Sequence, residues 1–243
     1  MRRLPLILGL VLLKGCGEEV PEPPRVPAAS VVTGSATVSG RVDFDGPVPP
    51  AVTLRNQPCC PGAPATLQDE TVVVNANGTL ANVFVYVEGG PKTEGSALPA
   101  PVLDQQFCRY TPHVIGVVVG QPLTLLSSDP TMHNVNIRPT GEAHQNFAMH
   151  RAGESAVTRF SRPGFAASKC DVHPWMSAVI GVFDNPFFAV TDGEGRFAIA
   201  NVPPGTYTLV TRHELYPPLR QTITVPDNAT AVNADFRYSP RKP

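Results

Sequence analysis

Three potential metal ligands lie close together in the heptad from Cys170 to Met176. Cys170, His173 and Met176 are each separated from the next by two residues, so one folded-back loop would aim all three side chains at a single ion. Thiolate and thioether sulfur are soft donors that favour copper, and imidazole nitrogen also binds it well. The heptad therefore predicts a metal site and favours copper as the metal.

A second histidine, His133, is the best candidate to complete this ligand set, because it ends a strand-loop segment upstream of the heptad. The segment from Met132 to Val135, taken with the heptad, resembles the cupredoxin family, and its loop spacing is like that of the amicyanins. The resemblance covers the chain from about Pro101 to Phe183. It implies one copper ion, alternating between Cu(I) and Cu(II), with His133, Cys170, His173 and Met176 as its ligands.

The resemblance also implies supporting roles for the neighbours of these ligands. Asn134 matches a family position that steadies the cysteine loop, which is a task for residues around the ligands themselves. Pro174 removes a backbone N–H near the metal and stiffens the loop. Pro174, Trp175 and Phe165 are expected to form an apolar rim around an exposed edge of His173. A redox protein, such as a cytochrome or a copper or haem enzyme, would dock on that rim.

The rest of the chain predicts an all-β fold. Its 243 residues include 28 prolines and 20 glycines, and short apolar runs alternate with turn residues. The segments from Thr191 to Phe197 and from Val202 to Tyr207 resemble the carboxypeptidase regulatory-like (transthyretin-like) modules. We therefore expect a cupredoxin-like Greek-key β-sandwich over 36–183 and a small C-terminal β-sandwich module over 184–243. The strand in 36–44 fits either domain.

The N-terminus has the features of an export signal. Residues 1–16 combine two arginines with an apolar run that is too short to span a bilayer, and they end in a lipobox-like Cys16. Lys14 stands where a lipobox usually has a small residue, so plain secretion is the alternative to lipidation of Cys16. A Pro-rich linker follows over 17–35. We expect an exported protein, lipid-anchored in the bacterial cell envelope and facing the periplasm or the exterior.

Three more cysteines remain, and an oxidising compartment favours their pairing. The expected disulfide joins Cys108 to Cys59 or Cys60, because vicinal cysteines seldom pair with each other. A second metal site formed by these three cysteines is the weaker alternative. His113 lies near Cys108, and the sequence leaves its role open.

Composition and missing motifs narrow the function. A net charge of −1 argues against nucleic acid as a partner. A structural zinc site rarely recruits methionine, and the sequence has no phosphate-binding loop or nucleophile elbow. The expected function is a non-enzymatic electron carrier with one mononuclear type 1 copper site. The alternative is a cell-surface sandwich that binds carbohydrate or a protein partner and holds copper as cargo or as a structural ion.

Overall fold

The computed structural model describes residues 34–48, 50, 53–55, 60–64 and 66–240. The predicted signal peptide, the lipidation candidate Cys16, nearly all of the predicted linker and the disulfide candidate Cys59 lie outside these residues. Within the described ranges, no helix has the length and apolar character needed to cross a membrane. A single short 3-10 turn, Gly95–Ala97, interrupts the strands of this part of the chain.

The chain is built from short strands, which confirms the predicted all-β class. In chain order, the described strands are β1 (Ala36–Phe44), β2 (Thr53–Arg55), β3 (Thr66–Gln68), β4 (Phe84–Glu88), β5 (Val102–Gln106), β6 (Arg109–Thr111), β7 (Val114–Val118), β8 (Leu123–Ser127), β9 (His133–Pro139), β10 (Gln145–Met149), β11 (Ser155–Thr158), β12 (Gly164–Lys169), β13 (Ser177–Phe183), β14 (Phe188–Val190), β15 (Arg196–Val202), β16 (Gly205–Arg212), β17 (Leu219–Val225), β18 (Ala231–Asn233) and β19 (Phe236–Tyr238).

Two sheets form a first sandwich from β5 to β13. One sheet has the order β10-β9-β12-β13-β7, and the other has the order β11-β8-β5-β6. Side chains alternate between the core and the outside along these strands, as in β8, because successive residues of a strand point to opposite faces. Both sheets contribute to one core, which includes Leu103, Tyr110, Val117, Leu123, Leu125, Val135, Ile137, Phe160 and Ile180.

A second sandwich combines both ends of the described chain. Its sheets have the orders β15-β1-β18, with β19 also paired to β1, and β14-β4-β16-β17. Its core includes Val38, Val42, Val85, Val87, Phe197, Ile199, Leu209 and Ile223. The predicted sandwich architecture is therefore confirmed.

The predicted boundaries, 36–183 and 184–243, do not match these sheets. Strand β1 pairs antiparallel with β15 and parallel with β18 and β19, so the open question about 36–44 is answered in favour of the second sandwich. Strand β4 pairs with β14 and β16 and belongs there too. The physical reason is burial, because Val38 and Val85 complete the core around Ile199 and Leu209. The first sandwich is thus inserted between strands of the second.

Candidate metal centre

Strand pairing brings His133 next to the heptad. His133 begins β9, and Lys169, the residue before Cys170, pairs with Asn136 of β9 and with Ser177 of β13. The heptad is the connection between β12 and β13. Its ends are closed by two backbone hydrogen bonds, from Cys170 N to the Met176 carbonyl (3.2 Å) and from Met176 N to the His173 carbonyl (2.9 Å).

Three of the four predicted ligands place their donor atoms together. The Nδ1 atoms of His133 and His173 are 2.9 Å apart, and Cys170 Sγ is 3.8 Å from His173 Nδ1. All three donor atoms lie within 4.8 Å of one another. The residues are 0 %, 2 % and 2 % exposed for His133, Cys170 and His173, respectively, so the donors are shielded from water. Met176, the fourth, is buried in the same core cluster as Cys170.

A buried carboxylate fixes the orientation of the first imidazole. His133 Nε2 lies 2.9 Å from Asp129 Oδ2, and Asp129 is 3 % exposed. Because a carboxylate accepts hydrogen bonds, this contact favours a proton on Nε2 and leaves the lone pair of Nδ1 directed at the cluster. The sequence analysis missed Asp129. Its only signal was an acidic residue four positions before His133, and nothing in the sequence indicated that it would be buried.

Asn134 holds the cysteine end of the loop. Its Oδ1 accepts a hydrogen bond from Asp171 N (2.7 Å) and lies 3.4 Å from Cys170 Sγ. Its Nδ2 donates to Asp171 Oδ2 at 2.6 Å and to Asn146 Oδ1 at 2.8 Å. Asn134 therefore contacts both Cys170 and Asp171, and its hydrogen bonds fix the backbone that follows Cys170.

The expectation of an exposed His173 edge is wrong. His173 is 2 % exposed, and its ring lies 5.1 Å, centroid to centroid, from that of Trp175. Trp175 is half-buried, and its Nε1 donates a hydrogen bond to the Cys108 carbonyl (3.1 Å), which holds the ring beside His173. Pro174 is exposed. Phe165 is not part of this rim either. It packs in a different cluster, with its ring 5.7 Å from that of Phe84.

A disulfide lies next to His173 in addition to Trp175. It joins Cys60 to Cys108, with Cα atoms 5.9 Å apart, and so selects Cys60 from the two predicted candidates. Cys60 and Cys108 are themselves buried, and their sulfurs lie within 4.8 Å of a ring nitrogen of His173. Cys170 takes part in no disulfide and keeps its thiol. The disulfide thus packs against the histidine that was expected to face solvent.

The electrostatic surroundings favour the metal-binding forms of Cys170 and His173. Burial raises the pKa of the Cys170 thiol, but the hydrogen bond with His133 and nearby backbone N–H groups outweigh it, and the net pKa is below its ordinary value. Burial and the neighbouring His133 both lower the pKa of His173. Burial lowers the pKa of His133, but its hydrogen bonds and charge interactions with Cys170 and Asp129 together outweigh burial, and the net shift is upward. Thiolate and neutral imidazole are the forms that bind metal ions, so these shifts prepare Cys170 and His173 for binding, whereas a metal ion at His133 must displace a proton.

His113 lies beside the site without joining the donors. Its Nδ1 lies 2.9 Å from the carbonyl of Ser177, the residue after Met176, and its Nε2 lies 3.0 Å from Glu214 Oε2. Burial lowers the pKa of His113, but the hydrogen bond and charge of Glu214, the charge of Glu70 and the contact with the Ser177 carbonyl together outweigh it, and the net shift is upward. His113 therefore connects the metal-site loop to the second sandwich.

Comparison with known proteins gives one family match and several distant structural similarities. Residues 174–239 match a family model described as the carboxypeptidase regulatory-like domain, which confirms the resemblance predicted for the C-terminal module. A Cu(I) structure of an amicyanin mutant is similar, at 20% identity and a TM-score of 0.32, over 40% of this chain and 97% of that one. A Cu-containing nitrite reductase from Thermus scotoductus SA-01 gives 21% identity and a TM-score of 0.31, over 40% of this chain and 25% of that one. TM-scores this low carry no inference about this chain. None of the curated proteins compared with the chain matches it.

Proposed function

We propose that this chain is an exported electron-transfer protein with one type 1 copper ion held by His133, Cys170, His173 and Met176. The observation that supports this proposal is the convergence of two imidazole Nδ1 atoms and one thiol sulfur in a buried cluster, with Asp129 orienting the first imidazole. Copper in such a site supplies reversible one-electron oxidation and reduction.

The donor chemistry favours copper over zinc. A thiolate and two imidazoles suit both metals, but a thioether is a soft ligand that structural zinc sites rarely use. A catalytic zinc site also needs an open position for water or substrate. His133, Cys170 and His173 are each at most 2 % exposed, so the cluster offers substrate little access. These properties support an electron carrier that is not an enzyme.

The proposed docking site for a redox protein is the outer surface of the heptad. Val172 is 47% exposed and Pro174 is exposed, and they flank His173 on both sides. Small apolar surfaces above a buried redox centre suit brief contacts with a partner such as a cytochrome or a copper or haem enzyme. Electrons would pass from His173 through Trp175 or the loop itself, because His173 has almost no surface of its own.

The decisive test is optical and electrochemical. The purified protein, loaded with one equivalent of Cu(II), is expected to show an intense visible thiolate-to-copper band and a reversible one-electron wave. Cys170→Ser should remove the band, and Met176→Leu should shift the potential. Met149→Leu is the matched control, because Met149 is equally buried but its sulfur accepts a hydrogen bond from Gln105 Nε2 (2.8 Å). A colourless wild type, or a band that survives Cys170→Ser, would refute the electron carrier.

The burial of His173 favours one second candidate. A covered histidine slows electron exchange, so the chain would then be a cell-surface binding module for carbohydrate or protein, with copper as cargo or a structural ion. The two functions differ in one measurable property, the rate of electron exchange with a small redox protein such as a cytochrome. Rapid exchange supports the carrier, whereas a stable Cu(I) protein that exchanges slowly and releases its ion to a chelator supports the module.

We also propose that the protein is exported and lipid-anchored through Cys16. The buried Cys60–Cys108 disulfide supports an oxidising compartment, since such bonds persist there. Metabolic labelling with a radioactive fatty acid is expected to mark the wild type in the membrane fraction and not Cys16→Ser. Unlabelled wild-type protein in the soluble fraction would favour plain secretion.

A further inference from the structure

The disulfide lies directly against the proposed copper site. The sulfurs of Cys60 and Cys108 and a ring nitrogen of His173 are all within 4.8 Å of one another. The three residues are 4 %, 0 % and 2 % exposed, respectively. Once the disulfide bond is reduced, two thiolates and an imidazole at these distances are a ligand set that suits a soft metal ion. As long as the disulfide is intact, its sulfurs are poor ligands because the thiolate is the form that binds metals.

The backbone around Cys108 is held by contacts that do not depend on the disulfide. Cys108 N donates to Asp129 Oδ2 (2.7 Å), the same oxygen that lies 2.9 Å from His133 Nε2. Phe107 N donates to the other oxygen of Asp129 (2.8 Å), and the Cys108 carbonyl accepts from Trp175 Nε1 (3.1 Å). Opening the disulfide therefore leaves the Cys108 sulfur near His173.

Cys60 provides the side of this cluster that is nearer to solvent. The next two residues, Pro61 and Gly62, are exposed, so Cys60 is one residue from the surface. Cys170 Sγ lies 3.8 Å from His173 Nδ1, and Cys60, Cys108 and Cys170 all belong to the core cluster of the first sandwich. The two donor sets, an outer one of Cys60 with Cys108 and an inner one of His133 with Cys170, thus share His173.

We propose that reduction of the Cys60–Cys108 disulfide creates a second Cu(I) site, formed by the two thiolates and His173. An external dithiol supplies two electrons and two protons, the S–S bond breaks, and the dithiol becomes a disulfide. Cu(I) then displaces the two thiol protons. A neutral imidazole has one lone pair to donate, so His173 completes the outer site only while the inner one is empty. With both ions bound, the two thiolates alone hold the outer ion and His173 stays with the inner one. The shared use of His173 rests on the proposed function, and it places an ion in the outer set one ligand exchange away from the inner site. Copper would enter the protein by this route when the disulfide is reduced.

The test counts Cu(I) ions in the full chain under anaerobic conditions. Protein is treated with a dithiol, which is removed by gel filtration, and Cu(I) is titrated against the chromogenic chelator bicinchoninate. Oxidised wild type should retain one ion per chain and reduced wild type two. Reduced Cys60→Ser should retain one, and reduced Cys59→Ser, the matched control for the neighbouring thiol, should still retain two.

Failure of this inference is distinguishable from failure of the proposed function. Reduced Cys170→Ser lacks the inner site and should keep one ion, whereas oxidised Cys170→Ser should keep none. Equal copper content in the oxidised and reduced wild type would overturn the second site, as would loss of the extra ion from Cys59→Ser alone. If Cys60→Ser does not fold, copper K-edge absorption of the reduced wild type decides, because the second ion must add sulfur neighbours to the spectrum.

Discussion

Replacement of Asp129 by asparagine tests how the candidate metal centre is oriented. The buried carboxylate lies within hydrogen-bonding distance of Phe107 N (2.8 Å), Cys108 N (2.7 Å) and His133 Nε2 (2.9 Å). Asparagine keeps the shape but turns one accepting oxygen into an NH₂ donor. At least one of the three N–H groups then loses its acceptor. If the NH₂ faces His133, the imidazole proton moves to Nδ1 and blocks the lone pair that would bind metal.

The size of the effect follows from these contacts. Partners that orient a metal-binding histidine typically contribute about 10–100-fold to metal affinity. That range corresponds to about 1.4–2.7 kcal/mol of binding free energy. The free energy of unfolding should fall as well, by about 1–3 kcal/mol, because a buried N–H group is left without an acceptor. Asp129→Asn is therefore expected to weaken copper binding by at least tenfold and to remain folded.

Copper affinity is measured by competition with a chelator, and stability by urea unfolding of the metal-free protein. Asp104→Asn is the control, since Asp104 is a half-buried carboxylate that accepts from Ser128 N (3.1 Å) and Ser128 Oγ (2.7 Å) away from the donors. It should leave copper affinity within twofold of the wild type. Wild-type affinity in both Asp129→Asn and Asp129→Ala, which keeps no acceptor for His133 Nε2, would refute the assignment of the histidine tautomer to Asp129.

Three further predictions concern stability and the metal-site loop. Burial lowers the pKa of His213 to about 4, so below about pH 6.5 the unfolded chain binds a proton that the native state does not. The free energy of unfolding should therefore fall by up to about 3 kcal/mol as the pH drops from about 6.5 to about 4. In urea titrations, His213→Gln should show a weaker dependence of this free energy on pH. A Cβ on Gly40 would clash with the Ala234 carbonyl, so Gly40→Ala should destabilise the protein by about 2 kcal/mol or more, whereas Gly193→Ala, with nothing within 4 Å, should not. Asn134→Ala removes the carboxamide that fixes the loop and should speed copper release to a chelator severalfold, and an unchanged release rate would contradict that role.

Part of the donor cluster could be anticipated from the sequence because its information is local. Cys170 and His173 lie in one short connection between adjacent strands, so their spacing brings their donor atoms close, whereas His133 reaches them only through the pairing of β9 with β12. The role of Asp129 could not be anticipated in this way. It depends on burial and on the backbone N–H groups of Phe107 and Cys108, which approach from a different strand connection.

The exposed edge expected for His173 was wrong for a related physical reason. The expectation considered only Pro174, Trp175 and Phe165 as neighbours of His173. In the structure Cys60 is bonded to Cys108, and both sulfurs lie within 4.8 Å of a ring nitrogen of His173. A disulfide partner that is far away in sequence leaves no signal in the loop it covers, so spacing within the heptad could not reveal it.

The insertion of one sandwich into the other gives the C-terminal module a physical connection to the metal site. A fragment of residues 184–243 would lack β1 and β4 and would expose the core faces that these strands cover. The module therefore depends on chain that precedes the first sandwich. The module also supplies Glu214, whose Oε2 lies 3.0 Å from His113 Nε2. On the other side of the ring, His113 Nδ1 lies 2.9 Å from the carbonyl oxygen of Ser177, the residue after Met176. Because these hydrogen bonds are directional and His113 is buried, the second sandwich restrains the end of the loop that carries the thioether, and it acts as a support for the site.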